Sequence, residues 1–285
     1  MVAEVSTDDP RLTSSITKLQ DSLKRDRGLV LDKLIKDVPR SSELQPPTRK
    51  LVLSGKGYIE VVKTVIAEGF DLLVKSANSK SALTSALFGS NDIRLLQNCP
   101  CPVLILKLDR RKRIRNILAA VDPTTGKPAA SDLNSIIMET AVSMARIEEA
   151  KISMLHVWDL PMLEHFDSQE NRDEFKVLTK GVLEETQRKM NQLVGGYAHV
   201  PVNDHLLKGK PQEVIPKFVQ KQGIDLIVMG TVVRSGVPGF FFGNTGEKIL
   251  YRIDCSVLAL KPNGWKSPIK LQRKAKKKSV VRTNG

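Results

Sequence analysis

The loop from residue 230 to 243 carries Gly230, Gly236, Gly239 and Gly243. It follows an unbroken apolar run, Leu226 to Met229, and precedes an amphipathic segment, Glu247 to Ile253. Glycines let backbone N–H groups approach an anion closely, and a helix that follows them turns its positive end to the same point. The chemistry suited to such a loop is the holding of a phosphate. Other candidate chemistries are weaker. Gly55-Lys56-Gly57 lacks the four-residue spacer and the Lys-Ser/Thr pair of a P-loop and reads as a strand-to-helix turn. His156, His165 and Asp167 do not have metal-ligand spacing. The run Phe240-Phe241-Phe242 reads as core or interface. No nucleophile elbow or acid–base constellation is evident, so the sequence speaks of binding rather than catalysis.

The elements that must position this loop occur twice. Subtracting 154 from the numbers of the segment around it pairs Asp225 with Asp71, Val228 with Val74, Phe242 with Phe88 and Gly243 with Gly89. Continuing without a gap, Cys255, Val257, Leu260 and Lys261 fall on Cys101, Val103, Leu106 and Lys107, and upstream Gly209-Lys210 falls on Gly55-Lys56. This is an internal duplication. The second copy reads as strand Ile117–Val121, a helix marked by Leu133 to Ile147, strand Ile152–Val157, a long helix over Asn171–Val194, strand His205–Leu207 and a helix from Pro211. Strand Leu226–Met229, the glycine loop, a short helix and strand Val257–Leu260 complete it. Short continuous apolar strands alternating with amphipathic helices imply a parallel sheet covered on both faces.

The first copy supplies strands at Lys50–Leu53, Asp71–Lys75 and Val103–Leu106, helices at Tyr58–Ala67 and toward Gln97, and upstream one or two helices over Leu12–Ile35, interrupted near Gly28. Nothing in it corresponds to the stretch from about Arg113 to Met154, so it is expected to be an incomplete copy. The fold class expected is α/β, with tandem open parallel-sheet units of Rossmann-like design, the first incomplete at its N-terminus. The boundaries are 1–110, 111–263 and a tail at 264–285.

Composition narrows the class. The 285 residues are 41% apolar, enough for two cores of ordinary size. No apolar run approaches the roughly 20 residues that span a membrane, so a cytoplasmic location is expected. The net charge is +14, but residues 266–285 hold eight Lys and Arg and no acid, leaving only +6 for the rest. That tail has no aromatic residue to stack a base, and it reads as solvated and disordered. A nucleic-acid or anionic-membrane anchor is the alternative. Cys99, Cys101 and Cys255 fit neither a disulfide framework nor a zinc pattern, and Cys101 and Cys255 read as small apolar residues at the mouths of buried strands.

Asn116-Ile-Leu-Ala-Ala-Val-Asp122, His156-Val157, Gly209-Lys-Pro211, Asp225-Leu-Ile-Val-Met-Gly-Thr231 and Phe242-Gly-Asn-Thr-Gly-Glu-Lys-Ile-Leu250 together resemble the universal stress protein (UspA) family, in its tandem UspE-type form. The resemblance covers Arg113 to Pro262 in full and about Lys50 to Lys107 in part. It implies a stress-response regulator that at most hydrolyses ATP weakly, with no catalytic residue assigned and no metal beyond nucleotide-bound magnesium. Adenine and ribose would lie near Asp122, Val157 and Met229, and phosphates over Gly230, Gly243, Asn244 and Thr245. The family's ATP motif asks for Gly-x2-Gly-x9-Gly and then Ser or Thr; here Val233 replaces the second glycine and Asn244 the hydroxyl. In the first copy only Gly89-Ser90 of this loop survives, so no nucleotide is expected there. Last-strand pairing in the family implies an internal pairing of Val103–Leu106 with Val257–Leu260, and a homodimer remains open. The remaining alternatives are an unknown ligand in place of the nucleotide, or an interaction scaffold acting through the basic tail.

Overall fold

Among the described residues, seven strands rich in Val, Leu and Ile form one sheet. The structure is a computed structural model describing residues 10–37, 48–77, 87–107, 113–124, 128–159, 172–197, 199–231 and 244–271. By its contacts the chain divides into two compact units, residues 1–64 and 65–285.

In the smaller unit, α1 runs unbroken over Pro10–Asp37, so Gly28 does not interrupt it. One glycine costs a helix about 1 kcal/mol relative to alanine, and the surrounding Lys, Arg, Leu and Asp residues continue the helix through it. Lys50 reaches Asp32 at 2.6 Å. The expected strand at Lys50–Leu53 is not formed; the segment is irregular, with Leu51 and Leu53 exposed. The duplication supplies the reason. Its counterpart lies in β5 (Val202–Lys208), which is held by β4 (Lys151–Trp158), whereas among the described residues no strand lies beside Lys50–Leu53. A strand with no ladder to join leaves its backbone to water.

The larger unit holds the sheet, in the order β1 (Leu73–Ser76), β2 (Val103–Leu106), β7 (Ser256–Leu260), β6 (Leu226–Gly230), β3 (Asn116–Ala120), β4, β5. All neighbours are parallel except β2 and β7, which are antiparallel. Between strands run α3 (Ser90–Asn98), α4 (Pro128–Glu148), α5 (Arg172–Gly195), α6 (Pro211–Gln222) and α7 (Asn244–Leu250). The core packs α4, through Ile137, Met138 and Ala141, onto Ile117, Val228 and Leu258 of the sheet. No helix among the described residues is long and apolar enough to cross a membrane.

The duplication is visible in backbone detail. Helix α2 (Gly57–Glu68) matches α6 residue for residue at the same offset of 154. Gly55 and Gly209, which enter these helices, have φ of +125° and +133°, and Gly69 and Gly223, which end them, have +69° and +58°. Phe70 N donates to Val65 O and Ile224 N to Val219 O, the same helix-ending bond in both copies. The antiparallel pair β2–β7 joins Leu104 to Leu258, which are repeat equivalents, with Val103 opposite Ala259 and Ile105 opposite Val257. A local two-fold axis therefore passes between Leu104 and Leu258, as in an isologous dimer interface, here within one chain.

Candidate functional site

Strands β3, β4 and β6 lie side by side and parallel, so their carboxyl ends emerge together, and the order reverses at β3, whose successor lies on one side and β6 on the other. Such a switch point opens a crevice above the strand ends. Asp122 follows β3, Val157 is the penultimate residue of β4, and Met229 and Gly230 end β6. The fold thus brings these four sequence-assigned residues to one end of three adjacent strands. Asn244 opens α7, three residues earlier than the sequence suggested, with Thr245 exposed behind it. Val233, Gly243 and Phe240–Phe242 lie outside the described residues, as do His165 and Asp167. Among the described residues no cluster of three or more His, Cys, Asp or Glu is placed to hold a metal.

Asp122 is held by groups the sequence did not single out. Asn134, buried on α4, accepts from Asp122 N at 2.9 Å and donates to Asp122 O at 2.8 Å, fixing the peptide on both sides. Its signal in the sequence was a polar residue in phase with Ile137, Met138 and Ala141 on the helix's apolar stripe. Asp122 Oδ1 accepts from Thr124 Oγ1 at 2.7 Å. His156, 2% exposed, has Nδ1 3.1 Å from Val121 O and 3.9 Å from Asp122 Oδ1. Since a carbonyl can only accept, Nδ1 carries the proton and donates. The result is a half-buried carboxylate in a fixed position at a strand end, able to accept from hydroxyl groups of a ligand.

Gly230 has a structural duty beside any ligand. A Cβ built there would sit 2.6 Å from Leu133 Cδ2 and 3.2 Å from Leu133 Cγ. Any side chain here would force Leu133 to shift as α4 packs on β6, whatever the loop beyond it binds.

The two copies differ at the equivalent helix start. In the first, Asp92 Oδ2 accepts from Gly89 N at 2.9 Å, and Lys75 Nζ lies 2.7 Å from Asp92 Oδ1. The chain's own carboxylate fills that helix end. In the second, Gly246 stands where Asp92 does and Met229 where Lys75 does, so neither the internal anion nor its cation is present.

Beside Thr231, at the carboxyl end of β7, Lys261 is 8% exposed. Its Nζ donates to Leu96 O at 2.7 Å and to Thr231 Oγ1, and it lies 4.7 Å from the Trp265 ring centroid. The carbonyl belongs to the last turn of α3, where positive charge is favoured. Burial nevertheless pushes the ammonium down from its usual 10.5 to about 7. Between these values the folded chain binds fewer protons than the unfolded one, so stability should rise from pH 7 toward pH 10, by up to about 1.4 kcal/mol per unit. Below pH 7 both states carry the proton and this contribution is flat. Urea melts across that range should show the rise in the native chain and a flatter profile in Lys261→Met; parallel profiles would refute it. Burial also pushes the thiol of Cys255 up to about 12, and Cys99 and Cys101 are buried with Sγ atoms 3.5 Å apart.

A shallow cavity of ≈ 540 Å³, bordered by Trp158, Leu183, Gln187 and Lys208, shares none of the crevice residues.

An open, mostly parallel sheet with a crevice at its switch point, part of it repeated within one chain, defines an α/β protein of the Rossmann-like class. The chain belongs to the universal stress protein family, whose profile matches residues 3–107 and again 113–261. It is 26% identical over 229 residues to universal stress protein E of Escherichia coli K12, spanning 78% of this chain and 70% of that one. The solved structure of a Pseudomonas aeruginosa UCBPP-PA14 protein assigned to the universal stress proteins is 26% identical, with a TM-score of 0.65 over 84% of this chain and 80% of that one. A universal stress protein from Archaeoglobus fulgidus DSM 4304 shares the fold at 16% identity, with a TM-score of 0.58 over 90% and 84% of the two chains.

Proposed function

We propose that this chain is a cytoplasmic stress-response regulator whose second repeat, residues 111–263, binds ATP with its magnesium at the carboxyl ends of β3, β4 and β6. The observation that carries the reading is the convergence of Asp122, Val157, Met229 and Gly230 at the switch point of a parallel sheet. Asp122 accepts from the ribose hydroxyls, Val157 and Met229 flank the adenine, and the phosphates lie over Gly230 and the segment through Val233, Gly243, Asn244 and Thr245. The first repeat, residues 1–110, takes no nucleotide, because Asp92 already occupies its helix end. Its role is to pack against the second repeat through β2 and β7. Nucleotide occupancy is the signal, and hydrolysis is weak at most. The start of the tail, 264–285, is docked, with Ser267 Oγ donating to Asn98 O at 2.7 Å and Trp265 against Lys261, so it is not a free appendage there.

Calorimetric titration of the full chain with ATP and magnesium tests this. Saturable binding at one site per chain is expected. Absence of heat, together with retention on DNA or anionic vesicles that is lost on deleting the tail, would replace it with the scaffold reading.

A further inference from the structure

We propose that Cys99 and Cys101 form a peroxide-reactive dithiol, which hydrogen peroxide oxidises to an intrachain disulfide and low-molecular-weight thiols reopen. The inference does not depend on nucleotide binding.

The turn between α3 and β2 brings the two sulfurs together. Helix α3 ends at Asn98, Cys99 N donates to Leu95 O at 2.9 Å, and the chain bends at Pro100 and Cys101 before β2 begins at Val103. The Sγ atoms lie 3.5 Å apart, to be compared with about 2.05 Å in a disulfide. Both ends of the turn are anchored. On the helix side Lys261 Nζ donates to Leu96 O at 2.7 Å and Ser267 Oγ to Asn98 O at 2.7 Å, and on the strand side Leu73 N donates to Pro102 O at 2.9 Å. The thiols are thereby held facing one another, and closing the bond is a local movement within the turn.

The second repeat has the same turn without the pair. Ile253, Asp254 and Ser256 stand where Cys99, Pro100 and Pro102 do, and only Cys255 keeps its thiol. Burial pushes that thiol up to about 12, so at neutral pH it lacks the thiolate that reacts. In the first repeat the thiols act on each other. A hydrogen bond from Cys99 holds the Cys101 thiol below its usual range although burial opposes it, and the same bond together with burial pushes Cys99 up. Cys101 is also the more accessible, 8% exposed against 0% for Cys99. Cys101 is therefore the attacking sulfur and Cys99 the resolving one. Lys261, when charged, favours the thiolate that Cys99 must become.

The chemistry balances in two steps. The Cys101 thiolate attacks one peroxide oxygen, the O–O bond breaks, and the departing hydroxide takes a proton to leave as water, with Cys101 left as a sulfenic acid. Cys99 Sγ then attacks Cys101 Sγ, the S–O bond breaks, and the hydroxide released takes the Cys99 proton to leave as a second water. The two sulfurs together lose two electrons and the peroxide gains them. Two molecules of a small thiol reverse the bridge and become a disulfide themselves. Stabilisation by a cross-link grows with loop length, so a bridge across a single residue constrains the unfolded chain little. Its use is then the transient, sensing one that disulfides have in a reducing compartment.

The test treats the reduced full chain with hydrogen peroxide, quenches by alkylation in denaturant, and reads intact mass and a peptide map. Two of the three thiols should be lost, with the chain lighter by two hydrogens, Cys99 and Cys101 unalkylated in one peptide and Cys255 still alkylated. The pair should be lost at least about tenfold faster than Cys255, as its thiolate content dictates. Dithiothreitol should restore all three thiols. In Cys255→Ser the loss of two thiols should be unchanged, and in Cys99→Ser the reaction should stop at a Cys101 sulfenic acid that dimedone labels. The native-chain measurement decides alone should Cys99→Ser fail to fold. Three intact thiols under conditions that oxidise an unfolded peptide of residues 95–105, loss at Cys255 as fast as at the pair, or a bridge between two chains would each overturn the proposal.

Discussion

Gly230→Ala is expected to destabilise the chain by about 1–3 kcal/mol, the usual cost of overpacking a filled interior. The added methyl meets Leu133 at 2.6 Å and has Ile137 Cδ1 3.7 Å away. The loss would not come from backbone strain, because Gly230 is not among the glycines with positive φ. It would come from pushing α4 away from β6, which also loosens Asn134, the next residue after Leu133 and the group that holds both sides of the Asp122 peptide. Stability and ligand affinity should fall together. In the double variant Gly230→Ala with Leu133→Ala the two changes should offset each other, so that the pair costs less than the sum of the singles. Chemical denaturation of the four chains decides it. Strict additivity would mean that the contact does not limit the approach of α4. Ser76 supplies the natural comparison: the same position in the first repeat tolerates a Cβ, and no α4 counterpart covers it among the described residues.

The parts of the fold set by local pattern were readable from the chain. The offset of 154 carries through from Gly55 and Gly209 to Lys107 and Lys261, and the structure repeats the glycine conformations and the strand register at that offset. Buried apolar strands and helix-opening prolines are short-range signals, and they located β6, β7 and α6. Lys50–Leu53 failed because a strand is a relation between two segments, and its apolar residues cannot reveal whether another strand lies beside them. Gly28 misled in the opposite way, since its local preference is small against the propagation of a long helix. Within the site, Asp122, Val157, Met229 and Gly230 were found by motif, and the strand ends bring them together. What the motif could not show were the through-space partners: Asn134 is twelve residues from Asp122, and His156 reaches Val121 across neighbouring strands. The filling of the first helix end by Asp92 likewise became meaningful only when Gly89 N was seen to donate to it.

Asp122→Ala is expected to weaken ATP binding by about 10- to 100-fold, the range for removing an ionised acceptor from a hydrogen-bonded contact. Truncation also removes the acceptor of Thr124 Oγ1, so a loss by itself could reflect a rearranged loop. Asp122→Asn separates the two effects: its amide oxygen still accepts from Thr124, while the charge that favours the ribose hydroxyls is gone. If the carboxylate acts on the ligand, both variants lose affinity; if it only shapes the loop, the asparagine chain binds as the native one does. The opposite change is expected at Val233, where the family's motif has glycine. Where the bound loop requires positive φ at that position, as a glycine there allows, a β-branched residue costs roughly 1–2 kcal/mol, so Val233→Gly should then tighten ATP binding about tenfold. The three measurements discriminate jointly. Binding that falls at Asp122 and rises at Val233 belongs to a crevice that works below its full affinity. Binding that appears only in the glycine chain belongs to a pocket that residue 233 has closed, leaving the native protein to act by contact with other macromolecules.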